Sequence, residues 1–148
     1  MKKIILSILL LLTCSLIFTA CNGFPSEMQK SMYDDDEAIA QEGDSYFFLN
    51  YSENKNIGDE MSLEFRGFTG TRTIWDTTSD KDETVIIQHE ANISKGKYKL
   101  VLIREDRAID EVEIVDNVEQ TYDLKHGRNR LKIVGLKTNG SISVAVKS

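Results

Sequence analysis

The stretch Asn129-Arg130-Leu131-Lys132-Ile133-Val134-Gly135-Leu136-Lys137-Thr138-Asn139-Gly140-Ser141-Ile142-Ser143-Val144-Ala145-Val146 decides the fold class. Leu131 and Ile133, then Ile142, Val144 and Val146, recur with a period of two, the spacing that puts one side-chain set on one face of a strand. Asn139-Gly140 between them is the dipeptide a two-residue hairpin favours, because both positions tolerate positive φ. The sequence therefore predicts strands over Asn129–Leu136 and Ser141–Val146, joined by a tight turn.

Upstream the same period continues. Ser45 to Tyr51 is aromatic-rich and strand-like. Met61, Leu63 and Phe65 alternate with polar residues, and the parity then shifts to Phe68 across Gly67, as at a β-bulge. Thr71 to Asp76 continues as a strand. Val85, Ile87, His89, Ala91 and Ile93 share one face of the next. Ser94-Lys95-Gly96-Lys97, Glu105-Asp106-Arg107 and Lys125-His126-Gly127-Arg128 read as turns, which leaves strands over Tyr98–Arg104, Ala108–Val115 and Thr121–Leu124. Strand candidates thus recur about every ten residues with turn chemistry between them. No stretch after residue 45 shows an apolar period of 3.6. The expected fold is all-β: a seven- to nine-stranded antiparallel β-sandwich over residues 45–148, either immunoglobulin-like or a jelly-roll.

The net charge of −6 over 148 residues is unevenly placed. Residues 1–21 carry Lys2 and Lys3 and no acid; residues 22–44 carry 7 acids against Lys30 alone; residues 45–148 carry 17 acids and 15 bases. Such a balance argues against nucleic acid, whose phosphates call for clustered cations. With 2 Cys and 2 His in the chain, a Cys/His metal cluster lacks material, and no metal or other cofactor is expected. Met1-Lys2-Lys3 followed by the uncharged, Ile- and Leu-rich run Ile4–Ala20 is a secretory signal pattern, so residues 1–20 are expected to be a signal peptide. Residues 21–44, with Gly23, Pro25, Gly43 and the run Asp34-Asp35-Asp36-Glu37, are expected to be a self-repelling flexible linker. The run lacks the Asp-x-Asp-x-Asp-Gly spacing of a calcium loop.

Phe18-Thr19-Ala20-Cys21 resembles the lipobox of bacterial lipoproteins, departing from it in Phe18, where Leu is usual. The resemblance implies a diacylglycerol thioether on Cys21, palmitate-type acyl chains and attachment to the extracytoplasmic face of a cell membrane. One acyl chain holds only reversibly, whereas two anchor stably. Leu124-Lys125-His126-Gly127-Arg128-Asn129-Arg130-Leu131-Lys132-Ile133 is similar to the approach to the penultimate strand of bacterial immunoglobulin-like domains. As a whole the chain resembles the small lipoproteins of Gram-positive bacteria that pair a lipobox with a β-sandwich. That resemblance implies a location and no particular activity.

Candidate site residues are few. Trp75 and Tyr51 are candidate ligand contacts, since an exposed ring can stack on a sugar; the competing role for Trp75 is to fill the core. Tyr46, Phe48 and Tyr98 share that ambiguity. His89 and His126 have neither a Gly-x-Ser-x-Gly elbow nor a body cysteine to serve, so His89 is expected to be a hydrogen-bonded structural histidine and His126 a turn residue. Arg128, Arg130 and Lys132 alternate along one strand face, which suits either an anionic polymer or, preferably, a solvated edge. Asp80-Lys81-Asp82-Glu83 reads as a charged turn. The expected function is that of a non-enzymatic, lipid-anchored binding protein with a glycan or envelope-protein partner. The alternatives are a carbohydrate-acting hydrolase with paired carboxylates and a structural or accessory envelope protein.

Overall fold

The computed structural model describes residues 23–55, 60–114 and 118–147. The leader, Cys14 and Cys21 lie outside the described residues. Among the described residues seven antiparallel strands make up the body: β1 (Ser45–Phe47), β2 (Asn50–Lys55), β3 (Glu60–Ser79), β4 (Glu83–Ile103), β5 (Ile109–Val112), β6 (Gln120–Leu124) and β7 (Gly127–Lys147). Before them come α1 (Glu27–Ser31), a 3-10 turn (Met32–Asp34) and α2 (Asp36–Ile39). The all-β fold is as the alternation predicts.

The connection of the strands differs from expectation. Asn139-Gly140 is no hairpin: β7 runs straight through it for 21 residues. Nor is Ser94–Lys97 a turn, because β4 continues through it for 21 residues. β7 is central, paired with β3 on one side and β4 on the other along nearly its whole length. All three strands lose register at one level: β3 at Phe65–Gly70, β4 at Ile93–Lys97, and β7 opposite them. There they bend together and pass from one layer to the other, as strands do at sandwich corners. The first layer takes the β3 segment from Glu60 to Phe65, the start of β4 and the end of β7, with β2 and β6 at its edges. The second takes the other halves, with β1 and β5 at its edges.

The reason for the misreading is local. A hairpin of the Asn-Gly type needs positive φ at both residues. In β7 the left-handed residue is Lys137 (φ 52°) instead. The Asn139 side chain is used between strands: its Oδ1 accepts from Gly67 N at 2.8 Å, and its carbonyl accepts from Ser94 Oγ at 3.2 Å. Gly96 (φ 84°) allows β4 to follow, since a Cβ there would collide with the Lys137 carbonyl. The expected bulge at Gly67 (φ 67°) is present. So are the turns at Arg104–Ala108 and Lys125–Arg128, the second tied by Asn129, whose amide donates to the Lys125 carbonyl at 2.7 Å and accepts from Lys125 N at 3.0 Å.

The two layers share one core. Met61, Leu63, Phe65, Ile87, Ile142 and Val144 of the first face Phe68, Leu100, Leu102, Leu131 and Ile133 of the second. His89 crosses between layers, its Nε2 3.0 Å from Tyr98 Oη and its Nδ1 3.3 Å from the Val112 carbonyl.

The outer face of the second layer is where the acidic stretch goes. The expected flexible linker is folded from Ser26 to Asp44. Ser26 and Gln29 form a reciprocal capping box, and Asp35 caps α2 by accepting from Ala38 N at 3.0 Å. The Asp run thus sits at a helix start, where the backbone dipole favours negative charge. Ile39 and Ala40 bury against Val101, Ile103 and Val134. At Arg130 and Lys132 the basic stripe of β7 is neither an edge nor solvated, because β7 is central and this segment covers it. Arg130 donates to the Gln41 and Ala40 carbonyls at 2.8 and 3.0 Å. Lys132, 0% exposed, donates to the Gln41 and Gly43 carbonyls at 2.7 and 2.9 Å and lies 3.3 Å from Asp44 Oδ1. Arg128, nearer the rim, grips Asp76 at 2.6 Å. No helix among the described residues is long and apolar enough to cross a membrane.

Removing the buried ammonium strands two carbonyls and a carboxylate. Lys132→Met is expected to cost about 2–4 kcal/mol in urea unfolding. Lys125→Met, which breaks an exposed pair with Asp82, should be near neutral.

Candidate functional site

The aromatic candidates separate by the strand positions that carry them. Trp75 pairs with Leu131, a core position, and packs half-buried against the central cluster. Tyr51 stands on the edge strand β2 and is 54% exposed. It joins a lateral cluster that closes the gap between the layers. Phe48 lies 5.1 Å from Tyr51 and 5.4 Å from Tyr46 between ring centroids, and stacks on Phe68 at 4.7 Å. The Arg72 guanidinium sits among these rings, 5.6 Å from Tyr46 and 5.7 Å from Tyr51. Arg72 reaches from the second layer to Glu53 on the first at 2.6 Å. Its Nη1 has no hydrogen-bond partner among the described residues and lies against π faces, an arrangement cation–π attraction favours.

Beside this cluster the outer face of the first layer is concave, enclosing about 600 Å³; Tyr51 pairs with the core residue Phe65, so its ring lies on the other side of β2, in the cluster with Phe48. Strand register builds the floor of the concavity: Ser52 faces Glu64, Glu64 faces Ser141, and Ser141 faces Asn92. These are the outward positions of four adjacent strands, so the period of two that fills the core with Leu63 and Ile142 also lines this face with hydroxyls, amides and a carboxylate. Glu64 is the one carboxylate among the described lining residues. Acid–base glycoside cleavage uses two carboxyls about 5–9 Å apart. The concavity presents a hydrogen-bonding surface. The sequence did not single out Glu64, Asn92 or Ser141, because they meet only through strand pairing.

The histidines are placed as expected. His89 is buried and fully hydrogen-bonded, and His126 is an exposed turn residue whose backbone N–H donates to Asp82 Oδ1 at 2.9 Å. Asp82 also takes Lys125 Nζ at 2.8 Å, so that charged turn ties two loops together. Its carboxyl is held below the usual carboxylate range, first by the Lys125 hydrogen bond. Among the described residues no group of three or more His, Cys, Asp or Glu is placed to hold a metal ion.

No protein-family model matches the chain, and no curated protein matches its sequence. Among solved structures it is similar to a carbohydrate-binding module from Cellvibrio mixtus lichenase 5A in complex with cellotriose, at 9% identity and a TM-score of 0.39 over 75% of this chain and 93% of that one. It is also similar to the Drosophila melanogaster CENP-C cupin domain, at 13% identity and a TM-score of 0.30 over 72% of this chain and 71% of that one. Drosophila melanogaster CENP-C bound to CAL1 overlaps at 12% identity and a TM-score of 0.29, over 81% and 89% of the two chains.

Burial pushes the His89 pKa below its usual value, outweighing the bond to the Val112 carbonyl. The unfolded chain therefore takes up a proton below about pH 6.5 that the folded chain refuses, and stability is lost as pH falls from there toward the folded value. Urea unfolding between pH 7 and 5 should show this decline, at most about 1.4 kcal/mol per pH unit. His89→Gln should flatten it; an unchanged slope would contradict the buried, neutral assignment.

Proposed function

We propose that the protein is a lipid-anchored, extracytoplasmic, non-catalytic binding module whose concave polar face takes a polyhydroxylated ligand, a cell-envelope glycan. The observation that carries the reading is the row Ser52, Glu64, Ser141 and Asn92 across four strands of one face, all four exposed among the described residues. Amides, hydroxyls and a carboxylate in a shallow concavity suit the paired donors and acceptors of sugar hydroxyls; the Tyr51 ring, on the other side of β2, belongs to the aromatic cluster with Phe48. Trp75 serves the core instead. The anchor rests on Phe18-Thr19-Ala20-Cys21, behind an uncharged run headed by two lysines. Two acyl chains on Cys21 would hold the protein stably on the outer face of a bacterial membrane.

Two arms test the two halves. In cells, radiolabelled palmitate should enter the wild type and not Cys21→Ala, and the variant should be released to the medium; equal release of both contradicts the anchor. In the second arm, the protein should be retained on insoluble cell-wall polysaccharide. Glu64→Gln with Asn92→Ala should weaken retention by about tenfold or more, the scale of losing one or two buried hydrogen bonds. Trp75→Phe should not weaken it. Retention unaffected by the double variant, or none in the wild type, contradicts the glycan site.

A further inference from the structure

The corner where the three long strands bend carries a second surface. Phe24 and Leu49 are 77% and 63% exposed there and line a groove of about 470 Å³. Leu49 lies over Gly67, where a Cβ would come within 2.7 Å of its side chain. Around these apolar groups stand Lys30, Arg66, Lys95 and Lys137, contributed by α1 and by all three bent strands. Lys30 pairs with Glu27 at 2.5 Å. Glu27 is also near enough to Lys137 for that charge to help hold its carboxyl below the usual range, after Lys30. Arg66, Lys95 and Lys137 have no ion-pair partner among the described residues and are exposed. Apolar side chains ringed by cations on the outside of a folded domain suit an interface that is itself apolar inside and anionic at its surface.

The chain's own course selects the occupant. Phe24 lines this groove two residues before the capping box of α1, and Cys21 is three residues before it. Three extended residues span at most about 11 Å. Resting on the anchor of the proposed function, acyl chains on Cys21 would hold Phe24, and with it the corner, within that distance of the lipid surface. The folded cap from Ser26 to Asp44 removes the slack that a flexible spacer would have given. We infer that this corner, with Phe24 and Leu49 at its centre and Lys30, Arg66, Lys95 and Lys137 around them, docks on the anionic lipid surface. Headgroup phosphates meet the cations and the two apolar side chains enter the interface, a second contact beside the acyl chains.

The test uses the full chain, purified in detergent from membranes and reconstituted into vesicles of phosphatidylglycerol and phosphatidylcholine in equal parts, with brominated acyl chains as the quencher. The chain has 1 Trp, Trp75, in the second layer beyond the corner, so the unaltered protein reports a position away from the lipid. Leu49→Trp combined with Trp75→Phe moves the reporter to the corner. Emission from position 49 should shift to the blue and lose most of its intensity to the brominated chains, while Trp75 emission is unchanged. Lys95→Glu with Lys137→Glu, or vesicles of phosphatidylcholine alone, should abolish the shift and the quenching. A vesicle-bound protein whose position-49 tryptophan is no more quenched than Trp75 overturns the docking surface and leaves the anchor standing. Equal quenching on neutral vesicles and after charge reversal overturns the anionic assignment. Cys21→Ala partitioning like the wild type after detergent removal would defeat the anchor itself.

Discussion

A buried ammonium group on the wrong side of a sheet organises the segment before the first strand. Lys132 lies on β7 between core residues Leu131 and Ile133, so strand alternation aims it away from the core, yet it is wholly buried. Burial without acceptors would be costly, and desolvation does lower its pKa, against the pull of Asp44. The acceptors come from Gln41, Gly43 and Asp44, and Arg130 beside it takes the end of α2. Satisfying two cations therefore pins the segment after α2 to the sheet. Ile39 and Ala40 then find apolar partners, and the chain is fixed back through its two short helices to Phe24. Attraction across the face overrides the self-repulsion of the acidic run.

The second constraint is the shared corner. Three strands of 20 or more residues must bend at one level if both layers are to bury their faces in one core. Gly67, Gly96 and Lys137 take positive φ there, and Asn139 bridges β3 and β4. This gives a sandwich whose layers are halves of the same strands, with the cap on one outer face and an open polar concavity on the other.

The alternation of Leu63, Ile87, Leu131 and Ile142 was legible in the sequence and gives the all-β class and most of the core. So was the parity change at Gly67. Ser94–Lys97 and Asn139-Gly140 were misread because residues that reverse a chain also let it turn a corner. Only the neighbouring strands decide between the two, and those are distant in sequence. The acidic segment was misread through its net charge, although Ser26, Gln29 and Asp35 carry recognisable capping chemistry. Tyr51 and Trp75 were legible as aromatic candidates but not as exposed and packed, since how far each ring is covered is set only by the folded neighbours. The row Ser52, Glu64, Ser141 and Asn92 was not legible at all, since each is an ordinary outward residue until β2, β3, β7 and β4 align.

The account turns on residues 26–44 being part of the folded domain and not a tether. Amide hydrogen exchange on the full chain measures this directly. The amides of Ile39 and Ala40, which donate to the Asp35 and Asp36 carbonyls at 3.0 and 2.9 Å, should be protected in the wild type and lose that protection in Lys132→Met, with β3 and β7 still protected. Exchange of these amides at the rate of an unstructured peptide in the wild type, alongside a protected sheet, would contradict it.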